Sequence, residues 1–96
     1  MTVVKPANDQ ELQRLYKAFS EINEPAQVEA LMEDLCTIGE LHEMAQRLTV
    51  AFMLDSGESY VEIQEKTGAS ATTIARVSKC LNYGSGGYRL LIDRGE

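Results

Sequence analysis

The residues of this chain best suited to hold another molecule lie in one segment, residues 70–81. If that segment is a helix, the positions that share one of its sides are small, hydroxylated or basic. Small residues let a helix enter the major groove of duplex DNA, hydroxyls and first-turn amides bond phosphates, and Arg or Lys reaches phosphates or guanine edges. The members of this side are Ala71, Thr72, Ala75, Arg76 and Lys79. The segment therefore has the chemistry of a DNA-recognition helix.

A shorter helix and a glycine turn precede this segment and would position it. Ser59 is the predicted N-cap of the shorter helix, which runs to about Lys66 and buries either Val61 or Ile63. Gly68 can adopt the positive φ that closes a helix without steric cost. The spacing over residues 59–81 is thus typical of a helix-turn-helix.

The second helix of the motif is expected to begin after a cap at Ser70 and to turn a separate apolar side inward, formed by Ile74, Val77, Ser78 and Leu81. We expect the DNA-facing set to be Tyr60, Gln64, Ser70, Ala71, Thr72, Thr73, Ala75, Arg76 and Lys79. The alternative is a plain helical hairpin whose solvent side happens to carry two basic residues. Gln64 favours that alternative, because helix-turn-helix motifs prefer a small residue at its position, against the partner helix.

Composition describes one globular domain over residues 1–96. The chain is 44% hydrophobic and 25% charged, without an apolar run long enough for a membrane span or a secretion signal. Cys36 and Cys80 are isolated in sequence, which favours reduced thiols in a cytoplasmic protein over a disulfide framework. We expect both cysteines to be small core residues.

The formal net charge of −6 is unusual for a DNA-binding protein, because phosphate neutralisation supplies most non-specific affinity. The charge is unevenly distributed. Residues 1–58 hold 4 basic and 11 acidic side chains, giving −7, whereas residues 59–96 hold 5 basic and 4 acidic, giving +1. This asymmetry is expected if one end meets a polyanion and the rest faces solvent or a partner, with modest and salt-sensitive affinity.

Three further helices are predicted before the motif. The first starts at Asp9 and ends at residues 23–25, because Pro25 disfavours helix at the residue before it and opens the next helix. The third starts at residues 37–40, which match a capping box, and stops at residues 55–57. The apolar stripes are Leu12, Leu15, Tyr16, Phe19 and Ile22, then Val28, Leu31, Met32 and Leu35, then Leu41, Met44, Ala45, Leu48, Ala51 and Phe52.

These stripes offer more apolar surface than one small chain easily hides, since a small domain buries only about 60% of its unfolded surface. We therefore expect a homodimer. Two copies would also place paired recognition helices about 34 Å apart, on successive major grooves. The alternative is a compact monomeric bundle.

The last part of the chain is expected to end the helical motif. Residues 82–87 are too rich in glycine for helix and are predicted to form a turn, after which residues 88–92 make a short helical or extended apolar patch. The turn would let Leu90, Leu91 and Ile92 fold back onto the core or a partner. The first eight residues are expected to fray.

Nothing in the sequence indicates an enzyme or a metal site. His42 is the single histidine, and neither cysteine lies at a spacing that would build a zinc site with it. We expect His42 on the surface. Paired carboxylates such as Glu33 and Asp34 lie on a helix exterior, where solvation explains them.

Residues 67–76 resemble the turn and recognition helix of the tryptophan repressor family, and the helix start at residues 37–40 resembles that family too. The tail at residues 84–88 looks like the family's branch often labelled YerC/YecD. The likeness covers roughly residues 12–92. It implies an all-helical, Trp-repressor-like domain that forms an intertwined homodimer, in which the first helices interlock and two reading heads project from the core.

In the tryptophan-binding members, a threonine and two arginines surround the corepressor, and the resemblance places Thr37, Arg47 and Arg76 at those positions. Arg76 could hold a carboxylate with two hydrogen bonds, and Arg47 could stack on an aromatic ring. Val77 stands where those members have a glycine beneath the indole, and Cys80 replaces a serine that helps hold the amino group. Tryptophan is therefore a poor fit, while a smaller amino acid or a carboxylate stays open. The alternative is that these residues bind no effector: Thr37 caps a helix, Arg47 pairs with an acid and Arg76 contacts phosphate.

Together these features predict a homodimeric regulator of transcription that binds a two-fold symmetric site in double-stranded DNA and needs no cofactor. Repression is favoured over activation, because a lone reading head can block polymerase but offers little surface for recruiting it. The alternative is a small acidic dimer that docks onto a protein partner through its negatively charged first half.

Overall fold

The computed structural model describes residues 9–93, and this part of the chain is all-helical, as predicted. The expected fraying of the first eight residues lies outside it. Six helices follow one another along the described chain: α1 Asp9–Ser20, α2 Pro25–Leu35, α3 Ile38–Asp55, α4 Tyr60–Thr67, α5 Ala71–Tyr83 and α6 Gly87–Ile92. They form two compact units, which divide between Thr37 and Ile38. None of these helices combines the length and apolar content needed to cross a bilayer.

The first unit holds α1 and α2, whose boundaries lie close to the predicted ones. Glu24 is extended, with φ −103° and ψ 135°, and Pro25 follows in the first turn of α2. The helix ends at Cys36, whose backbone N–H donates to the Met32 carbonyl. No residue of α1 or α2 is fully buried, and Tyr16 and Leu35 are both more than half exposed. The apolar stripes of this unit are thus only partly covered within one chain.

The second unit has a small apolar core built around α3. Helix α3 packs against α4, α5 and α6, and α5 packs against both α4 and α6. α3 begins directly after Thr37 and ends at Asp55, as predicted, while the reciprocal bonds of the capping box at residues 37–40 stay a prediction. The fully buried cluster consists of Val50, Ala51, Ile63, Ala69, Ile74 and Val77. Three helices and one turn therefore meet at a single point.

The end of the motif differs from the sequence prediction. Helix α5 continues through Asn82 to Tyr83, whereas we expected residues 82–87 to form a turn. The expectation was wrong because glycine first occurs at position 84, which leaves residues 82 and 83 free to continue the helix. The backbone N–H of Gly84 donates to the Cys80 carbonyl, and a Cβ at position 84 would collide with that same oxygen.

The final segment folds back, but not through all the predicted residues. It is the helix α6, and Tyr88 and Ile92 pack against the core cluster. Leu90 is 67% exposed and Leu91 37% exposed, so they do not cover the core of their own chain, and the other option, that they face a partner, stays a prediction. A helix of six residues can turn only one narrow side inward, and residues 88 and 92 occupy it.

Neither cysteine is a core residue, contrary to expectation. Cys36 is half-buried and Cys80 is exposed, and both are free thiols. Cys80 lies on α5 between the buried positions Val77 and Leu81, and the helical periodicity turns it outward. An isolated cysteine in a sequence carries no signal of burial beyond its average preference.

Candidate nucleic-acid interface

The first helix of the motif is closed at its start by a full capping box. The Ser59 hydroxyl accepts a hydrogen bond from the Glu62 backbone N–H at 3.1 Å, and the Ser59 N–H donates to Glu62 Oε1 at 2.9 Å. Because Ser59 donates to the carboxylate, the pKa of Glu62 is lowered from its ordinary value. We predicted the Ser59 cap but missed its partner, although Ser and Glu three residues apart are the sequence signature of this box.

The burial of α4 settles an alternative that the sequence left open. Ile63 is 0% exposed, and Val61 is 62% exposed. The side of α4 that meets the core is therefore the one that carries Ile63. Gln64 is exposed, so its larger side chain is accommodated at a position where helix-turn-helix motifs prefer a small residue.

The turn between α4 and α5 has the geometry that the sequence predicts. Gly68 has φ +77° and ψ 1°, a left-handed conformation that favours glycine, and its N–H donates to the Gln64 carbonyl at 2.9 Å. Thr67 reinforces the turn, since its hydroxyl donates to the Ile63 carbonyl at 2.7 Å and accepts from the Ala69 N–H at 3.0 Å. The turn thus holds α5 at a defined angle to α4.

One contact to the turn could not be found from the sequence. The Nε2 atom of Gln46, on α3, donates to the Thr67 carbonyl at 3.1 Å. The two residues are 21 positions apart, and a polar residue at a helix position gives no sign of which distant carbonyl it meets.

Helix α5 has two chemically different sides, as predicted. Ser70 caps it by accepting from the Thr73 N–H at 3.1 Å. Its inner side is buried at Ile74, Val77 and Leu81, with Ser78 half-buried. Its outer side is exposed at Ala71, Thr72, Ala75, Arg76 and Lys79. The small and basic side is therefore available to another molecule.

The hydroxyls at the start of α5 are not equally available. The Ser70 and Thr73 hydroxyls lie 3.1 Å apart and bond each other, and Thr73 is half-buried. Both are engaged in the cap, which leaves Thr72 as the free hydroxyl of the first turn. On α4, Tyr60 and Gln64 are also exposed to solvent.

The basic residues of the motif and of α6 fall into two groups. Lys66 pairs with Glu58 at 2.8 Å, which raises the pKa of the lysine, and Arg89 pairs with Asp55 at 2.9 Å. Within residues 9–93, no ion pair engages Arg76 or Lys79. The uncompensated positive charge of the motif therefore lies on the exposed side of α5.

The proposed effector residues are only partly assembled by the second unit. Arg47 is half-buried on α3 and Arg76 exposed on α5, and these two helices pack together. Val77 is 1% exposed and is part of the core cluster, so its side chain occupies space that a glycine would leave open. Arg47 forms no ion pair with an acid among the described residues, although the alternative to effector binding predicted one. Thr37 is the last residue of the first unit.

The described residues offer no cluster of three or more His, Cys, Asp or Glu side chains that could hold a metal ion. His42 is exposed, as expected.

The fold and the exposed side of α5 define the class of this chain as a helical protein with a helix-turn-helix. The family model described as Trp repressor protein matches residues 10–96, and the chain belongs to the Trp repressor family. It is 43% identical to the uncharacterized protein YerC of Bacillus subtilis (strain 168), over 88% of this chain and 81% of that protein.

Two solved structures share this fold. A TrpR-like protein from Eubacterium eligens ATCC 27750 superposes with a TM-score of 0.84 at 40% identity, covering 88% of both chains. A candidate Trp repressor from Staphylococcus aureus superposes with a TM-score of 0.82 at 31% identity, covering 93% of both chains. The predicted resemblance is thus confirmed in family and in fold.

Proposed function

We propose that this protein is a DNA-binding regulator of transcription that acts as a homodimer and represses its targets. The observation that carries the proposal is the two-sidedness of α5. Its inner side is fully buried at Ile74 and Val77, and its outer side presents small residues together with the cations Arg76 and Lys79, which pair with no acid among residues 9–93. Membership in the Trp repressor family supports a DNA-binding regulator.

The outer side of α5 suggests how a half-site would be recognised. The methyl groups of Ala71, Thr72 and Ala75 suit apolar contact with thymine methyls in the major groove. Arg76 and Lys79 lie further along the helix and can reach phosphates or a guanine edge. Tyr60 and Gln64, on the exposed part of α4, would contact the backbone and set the register.

The homodimer is supported by the first unit. Its two helices bury no residue completely, and Tyr16 and Leu35 stay more than half exposed. A second copy that covers these stripes would remove apolar surface from water. It would also supply the second reading head that a two-fold symmetric site requires.

Repression is proposed because a dimer of short chains can block polymerase by occupying DNA, whereas activation needs a surface for recruitment. A DNA target and two free thiols, Cys36 and Cys80, favour a cytoplasmic location.

We infer that tryptophan is not the effector. Val77 belongs to the core, and moving it to admit an indole would disrupt the packing of α5 on α3. Millimolar tryptophan should therefore leave the melting temperature unchanged, measured at fixed protein concentration, because a ligand stabilises only the state that it binds. A dose-dependent rise of several degrees would show that the pocket exists.

The proposed function is tested by selecting bound fragments from a random duplex pool with the full chain. We expect an enriched sequence with two-fold symmetry, whose half-site centres lie about 10 base pairs apart or a multiple of that. Recovery no better than a protein-free control would reject DNA binding. Enrichment of a single asymmetric half-site would reject the homodimeric mode.

A further inference from the structure

The hydrogen bond between α3 and the turn of the motif affects the orientation of the helix-turn-helix relative to α3. The core that joins α3 to α4 and α5 is apolar, with Val50 and Ala51 packed among Ile63 and Ile74. Apolar contact is non-directional, and it changes little when one helix rotates slightly on another. A hydrogen bond weakens steeply when its angle changes. The bond from Gln46 to the Thr67 carbonyl therefore supplies orientation that the core does not.

Thr67 connects α3 to both helices of the motif through its hydrogen bonds. Its carbonyl is held by Gln46, while its hydroxyl bonds the Ile63 carbonyl of α4 and the N–H of Ala69. Ala69 is buried and stands two residues before the first residue of α5. A displacement of Thr67 would thus move the end of α4 and the start of α5 together.

The surroundings of the bond indicate an orienting role more than a large stabilising one. An open cavity of about 340 Å³ adjoins it, lined by His42, Ala45, Gln46, Thr49, Lys66 and Thr67. Water can enter such a cavity and bond the Thr67 carbonyl if Gln46 is removed, which limits the loss of stability. Water would not restore the fixed distance between α3 and the turn.

We propose that Gln46 is a positioning residue for DNA recognition. Through its hydrogen bond to Thr67, it fixes the orientation of α4 and α5 relative to α3. This inference rests on the proposed function. A small change in this orientation lowers the DNA affinity of a dimer, because both recognition helices must enter grooves separated by one helical repeat. Gln46 would thus influence DNA affinity without itself contacting DNA.

The test compares Gln46→Leu and Gln46→Glu with a matched control, Thr49→Val, in the full chain. Thr49 lines the same cavity, but its hydroxyl donates only to the Ala45 carbonyl of its own helix. We expect Gln46→Leu to weaken binding of the selected duplex about tenfold, because only a fraction of the free protein would then hold both helix-turn-helix motifs at the productive angle, and the apparent affinity falls with that fraction. Its melting temperature should change little, and Thr49→Val should bind like the original chain.

Gln46→Glu separates positioning from packing by its pH profile. At neutral pH the carboxylate cannot donate to the Thr67 carbonyl, so the variant should bind as weakly as Gln46→Leu. As the pH falls and the carboxyl protonates, it can donate again, and its affinity should rise relative to Gln46→Leu measured at the same pH. A constant ratio between these two variants across pH would overturn the proposal.

A second readout makes the result independent of DNA. Residual dipolar couplings report the orientation of α4 and α5 relative to α3, which we expect to change in Gln46→Leu and not in Thr49→Val. If the original chain and Gln46→Leu bind DNA equally, the inference fails and the proposed function stands. If the original chain binds no DNA, the proposed function fails, and unchanged couplings would then also exclude the orienting role. A loss of affinity that only follows a loss of folded protein would overturn the inference too.

Discussion

The double substitution Thr72→Glu with Lys79→Glu is expected to weaken binding of the selected duplex by at least about a hundredfold. Both residues are exposed on the outer side of α5. The change removes one positive and adds two negative charges in each protomer, opposite a phosphate backbone. Because neither side chain packs in the core, helicity and dimerisation should stay intact.

The control for this variant is a matched change of charge elsewhere. Gln27→Glu with Lys17→Glu alters the net charge equally at two exposed positions of α1 and α2 outside their apolar stripes, and its dimerisation is measured before its affinity is compared. Affinity measured by fluorescence anisotropy should fall sharply for the α5 pair and only modestly for the control. Equal losses would mean that net charge alone governs binding, and unchanged affinity of the α5 pair would reject the assigned side.

The substitution Ile63→Ala is expected to lower the free energy of unfolding by about 3 kcal/mol, whereas Val61→Ala should change it by less than about 0.5 kcal/mol. Ile63 is 0% exposed and Val61 62% exposed on the same two-turn helix. Truncating a fully buried side chain loses its transfer free energy and leaves a cavity. Truncating an exposed side chain does neither.

Urea unfolding followed by circular dichroism measures both values, at one protein concentration because dimerisation shifts apparent stability. A comparable loss for Val61→Ala would contradict the assignment, since it would mean that a partner surface covers that residue.

The helix-turn-helix could be predicted from sequence because its signals are local. Ser59 and Ser70 cap their helices, and Gly68 takes the left-handed conformation between them. Each of these acts within four residues, so no knowledge of the rest of the fold is needed. The two sides of α5 follow from helical periodicity alone.

The choice between Val61 and Ile63 could not be made in the same way. Helix α4 has only 8 residues, and two apolar positions two residues apart lie on different sides of it. The side that is buried depends on where α3 and α5 lie, which is tertiary information. The Gln46 contact to Thr67 was missed for the same reason.

The family was also predictable, because the motif and its glycine turn carry most of the resemblance. The effector was not, since the same resemblance that places Arg47 and Arg76 also places Val77 where a ligand would need space. The acidic first half of the chain stays compatible with a protein partner, and charge alone does not decide between the two functions.

The dependence of DNA affinity on salt tests the central claim most directly. If Arg76 and Lys79 of two protomers each neutralise one phosphate, the logarithm of affinity should fall linearly with the logarithm of salt concentration, with a slope of about −3 to −4. Removing both cations with Arg76→Ala and Lys79→Ala should flatten that slope. Absent binding, or an affinity that does not change with salt in the original chain, would contradict the account and favour an acidic docking module.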